Sequence, residues 1–188
     1  MSDITITKPS NFAHVIFHIG SNKDLHIWID FSMVNSLIND RVPINTSKSD
    51  PSRLLLGPYS LWLKGQNSPF STLESIPEVT TNEDVSISVP ECTNDFTITS
   101  LVMNAIPESS VNWEFFLHFD ATPIFSNSNE TVTIDFPQGI SSTGQKLYTV
   151  LEGKDKTVLA DFSLLFSFTN GTEIIKGEID PLVKITSP

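Results

Sequence analysis

The chain has one cysteine, Cys92, among 188 residues. A lone thiol excludes an intrachain disulfide and any zinc site built on cysteines of a single chain. Basic residues are also scarce, 11 against 22 acidic ones, for a formal net charge of −11, and no cluster of Lys or Arg occurs. Nucleic acid and anionic membrane surfaces require concentrated positive charge to displace counterions, so neither is an expected partner. No segment supplies the run of about 20 apolar residues that a membrane span needs, and no membrane insertion is expected. Met1 to Pro9 lack a basic head followed by an apolar core, so the expectation is no secretory signal and a cytoplasmic location, with release by lysis. The sequons at Asn45, Asn129 and Asn170 then follow from the abundance of Asn, Ser and Thr.

What the sequence does have is a two-residue alternation repeated in segment after segment. Val158, Ala160, Phe162, Leu164, Phe166 and Phe168 are every second residue of one stretch. Successive strand residues point to opposite faces, so these six line one side of a single long strand. Hydrophobic residues make up 39% and charged residues 18%, with 13 Phe, a composition that can bury a core. A chain of this length fits one domain over residues 1–188.

Strands are expected at Phe12 to Ile19, Leu25 to Phe31, Tyr59 to Lys64, Val85 to Val89, Phe96 to Met103, Val111 to Asp120, Thr131 to Phe136, Lys146 to Leu151, Thr157 to Thr169, Glu173 to Ile179 and Leu182 to Ile185. The first two read as a hairpin through Gly20 to Lys23. So many strands exceed one open sheet, which predicts an all-β, antiparallel two-sheet sandwich, Ig-like or jelly-roll-like, with one short helix and long loops. Val34, Leu37 and Ile38 have the spacing for that helix, and a polar loop to Arg53 follows. The stretch Gly65 to Asp84, with Pro69 and Pro77, reads as a crossing between sheets.

Candidate chemistry is sparse. His14 and His18 have the spacing of a helical zinc pair, but on a strand they lie about 13 Å apart at ~3.3 Å per residue, too far to share a metal. The acidic residues lack the calcium-loop spacing, and no cofactor motif is present. Glu114 and Asp120, placed on one face of an expected strand, are the pair a glycosidase would need; solubility explains an outward acidic face equally well. His118 beside Asp120 has no serine or cysteine in a nucleophile-elbow context. No enzyme is therefore expected. His26, Trp28 and Asp30 form the most suggestive set, putting an imidazole, an indole and a carboxylate on one strand face, as a sugar-binding surface or a protein contact would. Trp62 joins them as a candidate. Long loops covering Trp28 are the structural alternative. Unpaired strand edges favour self-association into a homo-oligomer, although Phe162 to Phe168 itself reads as a central core strand.

The order of features resembles the bacterial PixA/AidA inclusion-body proteins. An apolar strand ends in Asp30, and a polar loop from Val42 to Arg53 leads to a strand with Tyr59 and Trp62. Asn82 to Ile87 then lead into Asp95 to Met103. The C-terminal part is the most similar: Phe162 to Phe168, a Thr169 to Thr172 turn, and a strand into Asp180, Pro181, Leu182, Val183, Lys184 and Ile185. Glu178 and Ile179 stand where that family tends to have aromatic residues before the Asp-Pro pair. The resemblance implies an abundant, non-enzymatic, cytoplasmic β-sandwich protein that collects into inclusions. Self-association leads among the expected functions, a lectin-like carbohydrate-binding module is the alternative, and a small hydrolase comes last.

Overall fold

A computed structural model describes residues 10–20, 23–32, 54–55, 60–63, 76–93, 95–106, 111–126 and 130–188. Two mostly antiparallel sheets pack face to face into an all-β sandwich. The first sheet has the order β4 (Ser60–Leu63), β2 (Lys23–Asp30), β1 (Phe12–Ile19), β6 (Asp84–Cys92), β11 (Gln145–Val150), β8 (Leu117–Phe119). The second runs β3 (Leu54–Leu55), β13 (Glu173–Ile179), β12 (Lys156–Asn170), β7 (Phe96–Ile106), β10 (Thr131–Asp135), β9 (Pro123–Ser126). Beside β12 also lies β14 (Leu182–Ser187), which pairs in parallel with β5 (Glu78–Thr80).

The alternation dictates the packing. On β12 the stripe from Val158 to Phe168 is buried, and β1 offers Ala13, Val15, Phe17 and Ile19 from the opposite sheet. Rings bridge the two layers. Phe17 lies 5.9 Å from Phe162, Phe31 stacks on Phe168 at 4.4 Å, and Tyr148 meets Phe162 edge-on at 6.3 Å. Tilted and edge-on ring pairs of this kind add to the stabilisation that burial of apolar area provides. As the sequence implies, Phe162 to Phe168 is central: β7 flanks β12 on one side and β13 with β14 on the other.

One expectation is corrected, the crossing between sheets holds, and two short strands are added. Val111 to Asp120 is not one strand: Trp113–Phe116 forms a one-turn helix, α1, before β8. The Asn112 side chain accepts from the Phe115 N–H, an N-cap that starts the turn, and Trp113 and Phe116, three apart, both point into the core. The crossing segment contains β5, whose Val79 is fully buried while Glu78 accepts from Thr186 at 2.7 Å and lies 3.1 Å from Lys184 Nζ. Residues 123–126, unassigned in the sequence reading, form β9 at the edge of the second sheet. The expected helix around Val34 to Ile38 and the Val42 to Arg53 loop lie outside the described residues, although Phe31 and Ser32 have helical backbone.

A β-bulge between Lys146 and Tyr148 slips the register of β11 against β6, so that Leu147 and Tyr148 are both buried. Among the described residues the Tyr148 hydroxyl has no hydrogen-bond partner, and its burial raises the phenol pKa. An enclosed, unpaired hydroxyl costs its desolvation energy. Tyr148→Phe is therefore expected to raise unfolding stability by about 1 kcal/mol, read from urea denaturation; a loss of stability would show that the hydroxyl is satisfied.

Candidate functional site

The hairpin register fixes what meets on the outer face of the first sheet. Phe12 lies opposite Asp30, His14 opposite Trp28, Ile16 opposite His26 and His18 opposite Asp24. Side chains directly across an antiparallel pair share a face, so one strip holds three imidazoles, an indole and two carboxylates. The opposite parity, Ala13, Val15, Phe17 and Ile19 with Leu25, Ile27 and Ile29, is buried in the core. One hairpin thus separates a dry face from a polar aromatic one.

Within the strip the rings are held against each other. His14 stacks on Trp28 with centroids 3.9 Å apart and planes 9° from parallel, and Phe12 lies 5.2 Å from the same indole. His14 Nε2 and His26 Nδ1 are 2.9 Å apart. One of these nitrogens must donate and the other accept, so the bond holds only while at least one of the two is unprotonated. Three of the four residues proposed from sequence are therefore placed on one surface, with Asp30 one cross-strand row beyond Trp28. The fourth, Trp62, lies on β4 directly opposite His26 in the ladder. The sequence reading had not joined His14 to this group.

A second constellation occupies the other end of the strip. His18 Nδ1 lies 2.9 Å from Asp24 Oδ1, and His18 Nε2 lies 3.0 Å from Ser88 Oγ on β6. A carboxylate only accepts, so the proton of a neutral His18 sits on Nδ1 and Ser88 donates to Nε2. These are the atoms and the order of a serine–histidine–aspartate relay. Two features of the surroundings oppose turnover. Ser88 is 4% exposed, enclosed in part by Gly144, whose backbone comes so close that a Cβ there would meet Ser88 Cβ at 3.2 Å and Ile87 O at 3.1 Å. The next amide, of Val89, is bonded to the Ser141 carbonyl at 3.4 Å and so does not await an oxyanion.

The acidic pair considered for hydrolysis is not assembled as expected. Glu114 belongs to the first turn of α1, and Asp120 follows β8 with its carboxylate 3.5 Å from Lys146 Nζ. The same ammonium lies 3.0 Å from Asp84, and the Thr149 hydroxyl and Lys146 together hold the Asp84 carboxyl below its ordinary range. His118 is exposed. Elsewhere, an open concavity of 480 Å³ is lined by Cys92, Thr93, Asp95, Thr169 and Gly171, and it lacks the aromatic surface of the hairpin strip. Among the described residues, no three His, Cys, Asp or Glu side chains converge to hold a metal ion, and no helix is long and apolar enough to cross a membrane. Comparison with protein-family models, with curated proteins and with solved structures finds no match.

Proposed function

We propose that the protein acts by binding, with the outer face of β1 and β2 as its recognition surface and a glycan as the ligand class. The observation that supports this is the Trp28 indole, fixed flat against His14 while His14 is tied to His26. Sugars stack their C–H faces on aromatic rings and satisfy their hydroxyls with fixed donors and acceptors; this strip has both on one plane. Side chains already locked against one another lose little entropy when a ligand arrives. Titration of the protein with a panel of oligosaccharides is expected to give saturable binding that Trp28→Ala weakens at least tenfold and His26→Ala weakens less. Saturable binding unaffected by Trp28→Ala, or no binding by any member of the panel, would overturn the assignment.

Binding without turnover is favoured over hydrolysis because the Ser88 hydroxyl is enclosed and the neighbouring Val89 N–H is already bonded to Ser141. A fluorophosphonate probe is accordingly expected to leave Ser88 unmodified. Covalent labelling of Ser88 that disappears in His18→Ala would make the relay catalytic.

Self-association is the second reading, and one observation favours it. Among the described residues, strand β9 pairs only with β10, and its Ile124 is 54% exposed at that edge. A strand edge with an exposed apolar side chain can pair with a second copy. This reading accords with the resemblance to inclusion-body proteins. It predicts a mass above 20.8 kDa that falls on dilution in light scattering and that Ile124→Lys returns to the monomer value; a monomer at every concentration would eliminate it.

A further inference from the structure

On the recognition strip two imidazoles are bonded to each other, and imidazole is the side chain whose charge changes near neutral pH. His14 Nε2 and His26 Nδ1 are 2.9 Å apart, with ring centroids 5.1 Å apart and planes 23° from parallel. A centroid separation so much longer than the nitrogen contact requires the rings to lie end to end and nearly in one plane. The N–H of one ring then points along the lone pair of the other. Two imidazoles that chelate an ion converge on it at an angle instead, which this alignment does not provide. The pair is shaped to hold a proton between its nitrogens.

The surroundings decide which ring carries a charge. His14 lies flat on the Trp28 indole, with centroids 3.9 Å and planes 9° apart, and an imidazolium over an indole face gains a cation–π attraction. Glu91 of β6 stands opposite His14 in the ladder, a carboxylate on the same face. His26 stands opposite Ile16 on β1 and Trp62 on β4, neither of them charged. Asp24, two residues before His26 in the same row, is bonded to His18, and Asp30, two residues after Trp28, lies opposite Phe12. Lys23, beside the turn, stands opposite Ile19 in the inward row. The first proton added to the pair therefore settles on His14, whose Nε2–H donates to the neutral Nδ1 of His26, and a bond from a charged donor is stronger than a neutral one. A second proton goes to His26 Nδ1. It removes the acceptor, since an imidazolium only donates, and it sets two positive charges side by side.

We propose that His26 is an acid-release element of the recognition strip: it is fixed to His14 while the pair carries one added proton or none, and is set free as a cation when the pair carries two. This regulation rests on the reading of the strip as a glycan-binding surface. The stack of His14 on Trp28 persists in both states, so the aromatic platform remains. What acid removes is the ordered hydrogen-bonding group beside it. A neutral sugar must then immobilise His26 itself, so affinity falls as the pH falls.

Nitrogen NMR of ring-labelled histidines, without ligand, is expected to show a scalar coupling between His14 and His26 across their bond at about pH 7.5 and its loss at about pH 5. Titration with the oligosaccharide panel is expected to show several-fold weaker binding by the wild type at the lower pH. His26→Asn puts an amide where Nδ1 stands; the amide donates to a neutral His14 and accepts from a charged one, so its affinity is expected to differ by less than about twofold between the two conditions. Should His26→Asn not fold, His14→Gln, with an amide at the Nε2 position, takes its place with the same expectation. A coupling that persists at the lower pH, or equal pH dependence in wild type and variant, would overturn the acid release. Loss of the coupling with no sugar bound at either pH would instead overturn the glycan reading, while the release of His26 stands.

Discussion

Burial of a continuous apolar stripe on β12 is the constraint from which the rest of this sandwich follows. The strand spans 15 residues and is bonded to β7 along one side and to β13 and then β14 along the other. Its inward side chains must be covered over their whole length, because each left in water would forfeit roughly 1.5 to 3 kcal/mol of transfer energy. Phe17, Phe31 and Tyr148 of the opposing layer provide that cover. Once those contacts are set, parity decides everything outside. Each outward residue of β1, β2 and β12 is outward because its neighbours are held in.

The two outer faces have been put to different chemical use. On the first sheet the outward positions hold His14, His18, His26 and Trp28, groups that stack and exchange hydrogen bonds. On the second, the outward positions of β12 are Thr157, Leu159, Asp161, Ser163, Leu165 and Ser167, without an aromatic ring.

Most of the strand content was legible from period-two alternation, and so was half of the site. In the hairpin, pairing of Ile19 with Lys23 near the turn forces His14 against Trp28 and His18 against Asp24, an arithmetic available from the sequence once the turn was located. The helix α1 was illegible because Trp113 and Phe116 are also compatible with a strand edge, and only the Asn112 cap distinguishes the two. Strands β5 and β9 are three and four residues long and sit beside or begin with proline, below the length at which alternation can be recognised. Ser88 could not have been linked to His18, since that contact depends on β1 and β6 becoming neighbours, and the chain between them passes through both sheets.

That shuttling between layers has a kinetic consequence. Strand β1 finds β6 only after some 70 residues of intervening chain, and β7 cannot complete its ladder until β12 has been made. Closing such long loops is entropically costly before any contact rewards it, which places folding on the order of milliseconds to seconds. During synthesis, the residues before β12 must wait with their central strand missing and one edge of β7 unpaired. An unpaired edge is open to any strand that meets it, so the emergence of β12 is the step that closes the second sheet.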